Sequence, residues 1–110
     1  NRALPIAAVM LPTEGDNQDM VSLGAHSAFD LAEVTDNYAK LVAIMLFAAT
    51  QAIELRGEKL ASPLSREICK FVRSKSMFLK EDRPLSQELK ILAESLETSG
   101  IVEPWLTHSQ

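Results

Sequence analysis

The sequence predicts an all-α protein built on one long helix. From Met20 to Arg56 the chain has no proline and a single glycine, Gly24. Small and apolar residues return every three or four positions along that stretch, which is the period of a helix. Two shorter segments with the same period follow, and each is opened by a proline. We therefore expect a long central core helix at about 17–56 and two shorter helices at about 63–75 and 85–98, as part of an extended helical bundle.

Composition limits the class of protein. The length of 110 residues predicts one small domain. The net charge is −4 and the sequence shows no basic face, so we expect no nucleic-acid partner. The single cysteine, Cys69, excludes an intrachain disulfide framework and fits a reducing compartment, so we expect a cytoplasmic protein. The fully apolar run 41–49 is far shorter than the about 20 residues that span a bilayer, so we expect no membrane partner.

The first sixteen residues form a lead-in to the long helix. Pro5 and Pro12 disfavour helix in the residues before them, so we expect 1–16 to be extended or looped. Asp16 suits the N-cap, and Asp19 places a carboxylate in the first turn; capping alone explains both residue types. Because the sequence starts without methionine on an apolar stretch, it resembles the middle of a longer polypeptide, and we expect a fragment.

The long helix is expected to be held by packing. Its middle, 41–49, is apolar on every side, which predicts burial all round, against copies of the helix or against other parts of the protein. Two interpretations of His26 stay open: it is a structural or exposed residue, or it is a metal ligand or a catalytic base. No cysteine or second histidine lies at metal-ligand spacing, so we expect no metal site.

Clear start and stop signals bound the shorter helices. Gly57 suits the residue after a helix end, and Ser62 with Pro63 is an N-cap followed by proline at the first helical position. Cys69 lies beside the apolar stripe of the second helix, where it is either a buried structural residue or a reactive thiol. Gly100 ends the third helix.

Three separated segments resemble the aromatic amino-acid ammonia-lyases and aminomutases. The first, at 12–24, reads Pro-Thr-Glu-Gly-Asp-Asn-Gln-Asp-Met-Val-Ser-Leu-Gly, which is similar to the signature that opens a core helix in that family. The second, at 41–56, is similar to the later part of the same helix. The third, at 72–86, is similar to the loop and helix start that follow. The resemblance extends from 11 to about 103 in order and spacing.

The resemblance implies an enzyme whose electrophile lies outside this sequence. The family uses 4-methylidene-imidazole-5-one, which forms from an internal Ala-Ser-Gly tripeptide, and a catalytic tyrosine on a mobile loop. The sequence has no Ala-Ser-Gly. The resemblance therefore implies that 17–110 is the C-terminal helical part of a lyase or 2,3-aminomutase. It also implies a homotetramer completed by the rest of the enzyme, no catalytic residue in this chain, and no activity of the fragment alone.

By the same resemblance, Glu14, Asn17 and Gln18 are substrate-binding residues. Carboxamides at the positive end of a helix can donate to an anion or accept from an ammonium, and the Glu14 carboxylate favours an ammonium. Glu14 and Gln18 match the polar pair that faces the substrate amine and the prosthetic group in members specific for phenylalanine and tyrosine. Histidine-specific members usually have an acid at the position of Gln18, so the resemblance favours tyrosine or phenylalanine.

An alternative without catalysis stays open. Three helices with apolar stripes also describe a helical oligomerisation or interaction module, since a helical pattern alone does not define a function. A helix lying on a membrane surface would need a basic polar face. The acidic residues Asp30, Glu33 and Asp36 argue against it.

Overall fold

A computed structural model describes residues 23–98 of the chain, and all its regular elements there are helical. In chain order they are α1 (Gly24–Arg56), a short 3₁₀ helix (Glu58–Leu60), α2 (Pro63–Lys75) and α3 (Ser86–Thr98). The described residues contain no strand. The prediction of an all-α fold with one long and two shorter helices is therefore confirmed. The predicted lead-in 1–16 and the predicted first helical residues, 17–22, lie outside the described range.

The helix ends follow local chemistry. Leu23, directly before α1, has a φ of 48°, and its carbonyl accepts a hydrogen bond of 3.0 Å from the Ser27 amide. After Arg56, Gly57 has a φ of 107°, a conformation that glycine adopts without strain. The Gly57 amide donates to the Ile53 carbonyl at 2.9 Å, which closes the last turn of α1.

The predicted cap of α2 is present. The Ser62 hydroxyl accepts a hydrogen bond of 3.1 Å from the Ser65 amide, which satisfies one of the free donors of the first turn. At the other end, the buried Ser76 donates from both its amide and its hydroxyl to the Val72 carbonyl, each at 3.0 Å. Serines therefore bound α2 on both sides.

The chain divides into two compact units, 1–37 and 38–110. The described part of the first unit is the N-terminal portion of α1, where the Thr35 hydroxyl donates to the Leu31 carbonyl at 2.9 Å. In the second unit, the remainder of α1 contributes to a small core with α2 and α3. Its buried members are Ala43, Val72, Leu92 and Ala93, with Ala39, Leu46, Ile68, Phe71 and Leu96 packed against them.

The middle of α1 is buried on one side only within the described chain, so the expectation of burial all round, against copies of the helix or other parts of the protein, stays a prediction. Ala43 and Phe47 are buried, whereas Leu41 is 52% exposed, Ile44 49% and Met45 63%. The physical reason is geometric, because α2 and α3 pack against a single face of a helix. The opposite face of α1 is apolar and has no cover within the described residues.

By its length and its apolar composition, α1 is also a helix of the kind that could cross a membrane. The same description fits the central helix of a helical bundle, which is long and apolar because other helices surround it. The expectation of no membrane partner stays a prediction.

Substitution of a core leucine tests the packing of α3. Leu92 has no exposed surface, so Leu92→Ala leaves a cavity, and we expect a loss of about 2–5 kcal/mol in the free energy of unfolding. Leu60 is 76% exposed, and the matched control Leu60→Ala is expected to stay within about 0.5 kcal/mol of the parent. Urea titration followed by circular dichroism measures both. Equal losses in the two variants would contradict the assignment of the core.

Candidate functional site

The three residues predicted to bind substrate, Glu14, Asn17 and Gln18, lie outside the described residues. The structure describes the chain from Leu23 onward, one residue before α1 begins. Their assignment therefore stays a prediction from the sequence. The polar arrangement that the structure does describe is a cluster centred on Arg73.

Arg73 connects α1 and α2 through its guanidinium group. Its Nε donates to the two carboxylate oxygens of Glu54 at 2.8 and 3.1 Å, and one terminal nitrogen donates to a Glu54 oxygen at 2.6 Å. The same terminal nitrogen reaches the side-chain oxygen of Gln51 at 2.9 Å. The side chains of Arg73 and Glu54 are only 17% and 14% exposed to solvent. This is the forked geometry in which arginine binds a carboxylate most strongly.

Aromatic rings enclose the same guanidinium group. Its central carbon lies 5.2 Å from the centroid of the Phe47 ring and 5.7 Å from that of Phe78. Both distances are within the range of a cation–π interaction. Because Phe47 belongs to α1 and Phe78 to the connection after α2, Arg73 joins three parts of the second unit.

Gln51 holds the connection between α2 and α3 through the backbone of one residue. Its side-chain nitrogen donates to the Leu79 carbonyl at 3.0 Å, and its side-chain oxygen accepts from the Leu79 amide at 3.1 Å. Both backbone polar groups of Leu79 are thus satisfied by one amide side chain, in a segment without secondary structure.

A second ion pair holds the backbone of Met77. Arg83 donates to both carboxylate oxygens of Glu88, and one Glu88 oxygen accepts from the Met77 amide at 3.1 Å. The Met77 carbonyl accepts from Arg73 and from Arg83, each at 3.2 Å. The hydrogen bond from Arg83 lowers the pKa of the Glu88 carboxyl below its ordinary value, and the Met77 amide adds to this effect.

We refer to these residues together as the Arg73 cluster: Phe47, Gln51, Glu54, Arg73, Phe78, Arg83 and Glu88. Its charges are paired with one another and its amide is paired with backbone, so the cluster fixes the connection 76–85 rather than supplying an acid, a base or a nucleophile. No site role was predicted for Arg73 from the sequence. Nothing in the local spacing signals a pair of residues 19 positions apart.

His26 and Cys69, whose roles the sequence left open, form no site with the residues that the structure describes. His26 is exposed on α1, and Cys69 is buried, in agreement with a structural role. Among residues 23–98, no group of three histidine, cysteine or acidic side chains is placed to hold a metal ion.

Comparison with known proteins identifies the family. The family model described as aromatic amino acid lyase matches residues 1–74. That match includes the segment with Glu14, Asn17 and Gln18, all of α1 and most of α2. The chain belongs to the aromatic amino acid lyase family, whose curated members here are named as ammonia-lyases and an aminomutase.

Individual relatives are similar in sequence to this chain over most of its length. It is 37% identical to the tyrosine ammonia-lyase of Cupriavidus metallidurans, with 90% of this chain and 19% of the relative covered. It is 38% identical to the histidine ammonia-lyase of Desulfotalea psychrophila, with 80% and 17% covered. The MIO-dependent tyrosine 2,3-aminomutase of Streptomyces globisporus is 33% identical, with 87% and 18% covered. The chain thus spans under a fifth of the length of these relatives, and no solved structure matches it significantly.

The two hydrogen bonds between the Gln51 side chain and the Leu79 backbone can be tested by hydrogen exchange. Gln51→Leu removes both side-chain partners of Leu79, and a lost hydrogen bond of about 1 kcal/mol would speed local exchange of its amide about fivefold. Gln87→Leu alters an exposed glutamine of α3 and serves as the matched control. Exchange followed by NMR measures the Leu79 amide in both variants. Unchanged protection in Gln51→Leu would show that another group holds this segment.

The pairing of Glu88 predicts a pH dependence. Because the pKa of Glu88 is lowered in the folded chain from its ordinary 4.5, the pairing stabilises the fold above about pH 4.5. That stabilisation is lost as the pH falls through the folded pKa. Between about pH 5 and pH 3 we therefore expect the melting temperature to fall less steeply in Glu88→Gln than in the parent. Parallel melting curves for the two proteins would contradict a native-state role of this pair.

Proposed function

We propose that this chain supplies the C-terminal part of an enzyme that eliminates ammonia from, or migrates the amine of, an aromatic L-amino acid. The observation that carries the proposal is the family match, which includes the polar segment at 12–24 and the long helix that follows it. The names of the relatives include both reaction types, a lyase and an aminomutase, so the two outcomes stand together in the proposal.

The proposed enzyme uses 4-methylidene-imidazole-5-one, formed from a tripeptide outside this sequence. One relative is named as MIO-dependent, which supports this prosthetic group. When bound, the group supplies the electrophile that takes up the substrate amine. The chain's own contribution fits such a group through uncharged carboxamides, Asn17 and Gln18, which can donate or accept hydrogen bonds without introducing a charge.

Glu14 and Gln18 have distinct proposed roles toward the substrate. The Glu14 carboxylate orients the substrate ammonium by charge, and the Gln18 amide hydrogen-bonds near the amine and the prosthetic group. The neutral amide of Gln18 favours a phenyl or phenol ring over an imidazole, so tyrosine or phenylalanine is the proposed substrate. The relative named tyrosine ammonia-lyase supports this choice. Because other relatives are named histidine ammonia-lyases, histidine is assayed as a substrate as well.

The proposed assembly is a cytoplasmic homotetramer in which other parts of the enzyme cover α1. Leu41, Ile44 and Met45 are each about half or more exposed in the described chain, and apolar patches of this kind indicate a contact surface. The same exposed face also favours the second candidate, a helical oligomerisation module without catalysis. Enzymatic activity of the complete protein distinguishes the two.

Replacement of Gln18 in the complete enzyme tests the proposed site. Gln18→Ala removes one oriented hydrogen bond near the reacting amine, and we expect turnover to fall on the order of 10²-fold with little change in melting temperature. Glu14→Ala is expected to behave similarly. Deamination of tyrosine, phenylalanine and histidine is followed by the absorbance of the arylacrylate product.

The control for this experiment is Gln87→Ala, an exposed glutamine on α3 that is outside the proposed site. It is expected to keep full turnover and full stability. Full turnover of Gln18→Ala together with a lower melting temperature would identify Gln18 as a structural cap and contradict the site assignment.

A further inference from the structure

The residue directly before α1 has an unusual backbone conformation. Among residues 23–98, Leu23 is the only non-glycine residue with a positive φ, at 48°. Residues that carry a Cβ rarely adopt this left-handed conformation, and a bulky side chain makes it a genuine outlier. Leu23 is therefore a strained position at the entrance to the longest helix of the described chain.

Capping does not account for this conformation. Leu23 occupies the N-cap position, because its carbonyl accepts the hydrogen bond that opens α1, at 3.0 Å from the Ser27 amide. A leucine side chain has no oxygen that could cap the free amides of the first turn. Ser22, the preceding residue, is of a type that caps helices well. A helix capped by Ser22 would begin at Leu23 with an ordinary negative φ, so the local sequence does not require the strain.

Packing among the described residues does not account for it either. Leu23 is half-buried, and the residues that follow it, 24–29, are exposed. Leu23 is also not a member of the described core. Strained backbone conformations persist where the rest of a protein requires them, and they cluster at functional sites. The position of Leu23 relative to the proposed site is therefore informative.

The positive φ of Leu23 changes the direction in which the chain enters α1. A helical residue has a φ of about −63°, so a φ of 48° rotates the preceding chain by about 110° about the N–Cα bond of Leu23. A helix that continued upstream through Leu23 would need the helical value there. The chain thus enters α1 at a bend, and this bend lies five residues after Gln18.

From this geometry we propose that Leu23 is a positioning residue for the proposed site. Its left-handed backbone sets the direction in which the segment with Glu14, Asn17 and Gln18 leaves the N-terminus of α1. Leu23 acts through its backbone angle and not through a side-chain contact with the substrate. The inference rests on the proposed function, because the role has a meaning only if that segment meets the substrate.

The short separation makes the direction at Leu23 important for Gln18. Five residues span at most about 17 Å. A change of about 10° at Leu23 moves an atom about 10 Å away by about 2 Å, and a misplacement of about 1 Å can lower a rate about 10²-fold. A change confined to the backbone of Leu23 can therefore lower turnover without removing any group from the site.

Three substitutions in the complete enzyme separate a backbone role from a side-chain role. Glycine and asparagine adopt a positive φ more readily than leucine does, whereas the β-branched isoleucine resists it most. We expect L23G and L23N to keep kcat/KM within about twofold of the parent, and L23I to lower it at least about tenfold. A packing role of the side chain predicts the reverse order, because isoleucine conserves the volume of leucine.

A double-mutant cycle tests whether Leu23 acts through Gln18. Gln18→Ala removes the group that is positioned, so adding L23I to Q18A is expected to lower kcat/KM by less than about twofold. In the parent background the same substitution lowers it at least about tenfold. A purely structural role of Leu23 would lower the melting temperature and reduce kcat/KM by the same factor in both backgrounds.

Leu31 provides the matched control. It is an exposed leucine within α1, and its φ is not positive. L31I is expected to keep full turnover. L31G is expected to lower the melting temperature, because glycine destabilises the interior of a helix. The order of isoleucine and glycine at Leu31 is therefore the reverse of the order expected at Leu23.

Three results would overturn the positioning role: full turnover in L23I, a larger loss in L23G and L23N than in L23I, or equal losses from L23I in the parent and Q18A backgrounds. The turnover of the parent enzyme separates this inference from the proposed function. An active parent with an equally active L23I contradicts the inference alone. An inactive parent contradicts the proposed function and, with it, the inference.

Discussion

The constraint on which this structure depends is that α1 is apolar on two opposite faces. A helix buries such a surface only when it is surrounded, and the described chain provides two short helices, which cover one face. In the second unit the uncovered face retains large exposed side chains between Tyr38 and Leu55. A small domain that is stable by itself would place polar residues there. The sequence places leucine, methionine and alanine there, which favours the proposal that α1 lies inside a larger assembly.

The Arg73 cluster compensates for the small size of the core. Few of the described residues of the second unit are fully buried. In the connection between α2 and α3, however, the backbone polar groups of Met77 and Leu79 are satisfied by Gln51, Arg73, Arg83 and Glu88. Partly buried charge pairs with several hydrogen bonds specify one arrangement more strictly than apolar contacts do. The cluster also draws its members from the segments 41–56 and 72–86, two of the three on which the family resemblance was based, with Glu88 just beyond them.

The sequence predicted the helices well because their signals are local. The Ser62–Pro63 start, the positive φ of Gly57 and the uninterrupted period of α1 each depend on neighbouring residues. The Arg73 cluster could not be predicted, because its partners are far apart in the chain and only the packing of α1 against α2 brings them together. Burial all round α1 stays a prediction for a related reason: periodicity shows which residues need cover, but not what covers them. The proposed site at Glu14 and Gln18 rests on family resemblance, which the match over residues 1–74 supports at the level of family.

Native mass spectrometry of the protein purified from its source, combined with sequencing of its peptides, tests the central claim most directly. The account predicts that this chain is found within a species several times heavier than 12.1 kDa. That species should contain upstream sequence with an Ala-Ser-Gly tripeptide in its cyclised, dehydrated form. A 12.1 kDa monomer in solution, with no other chain bound to it, would contradict the account.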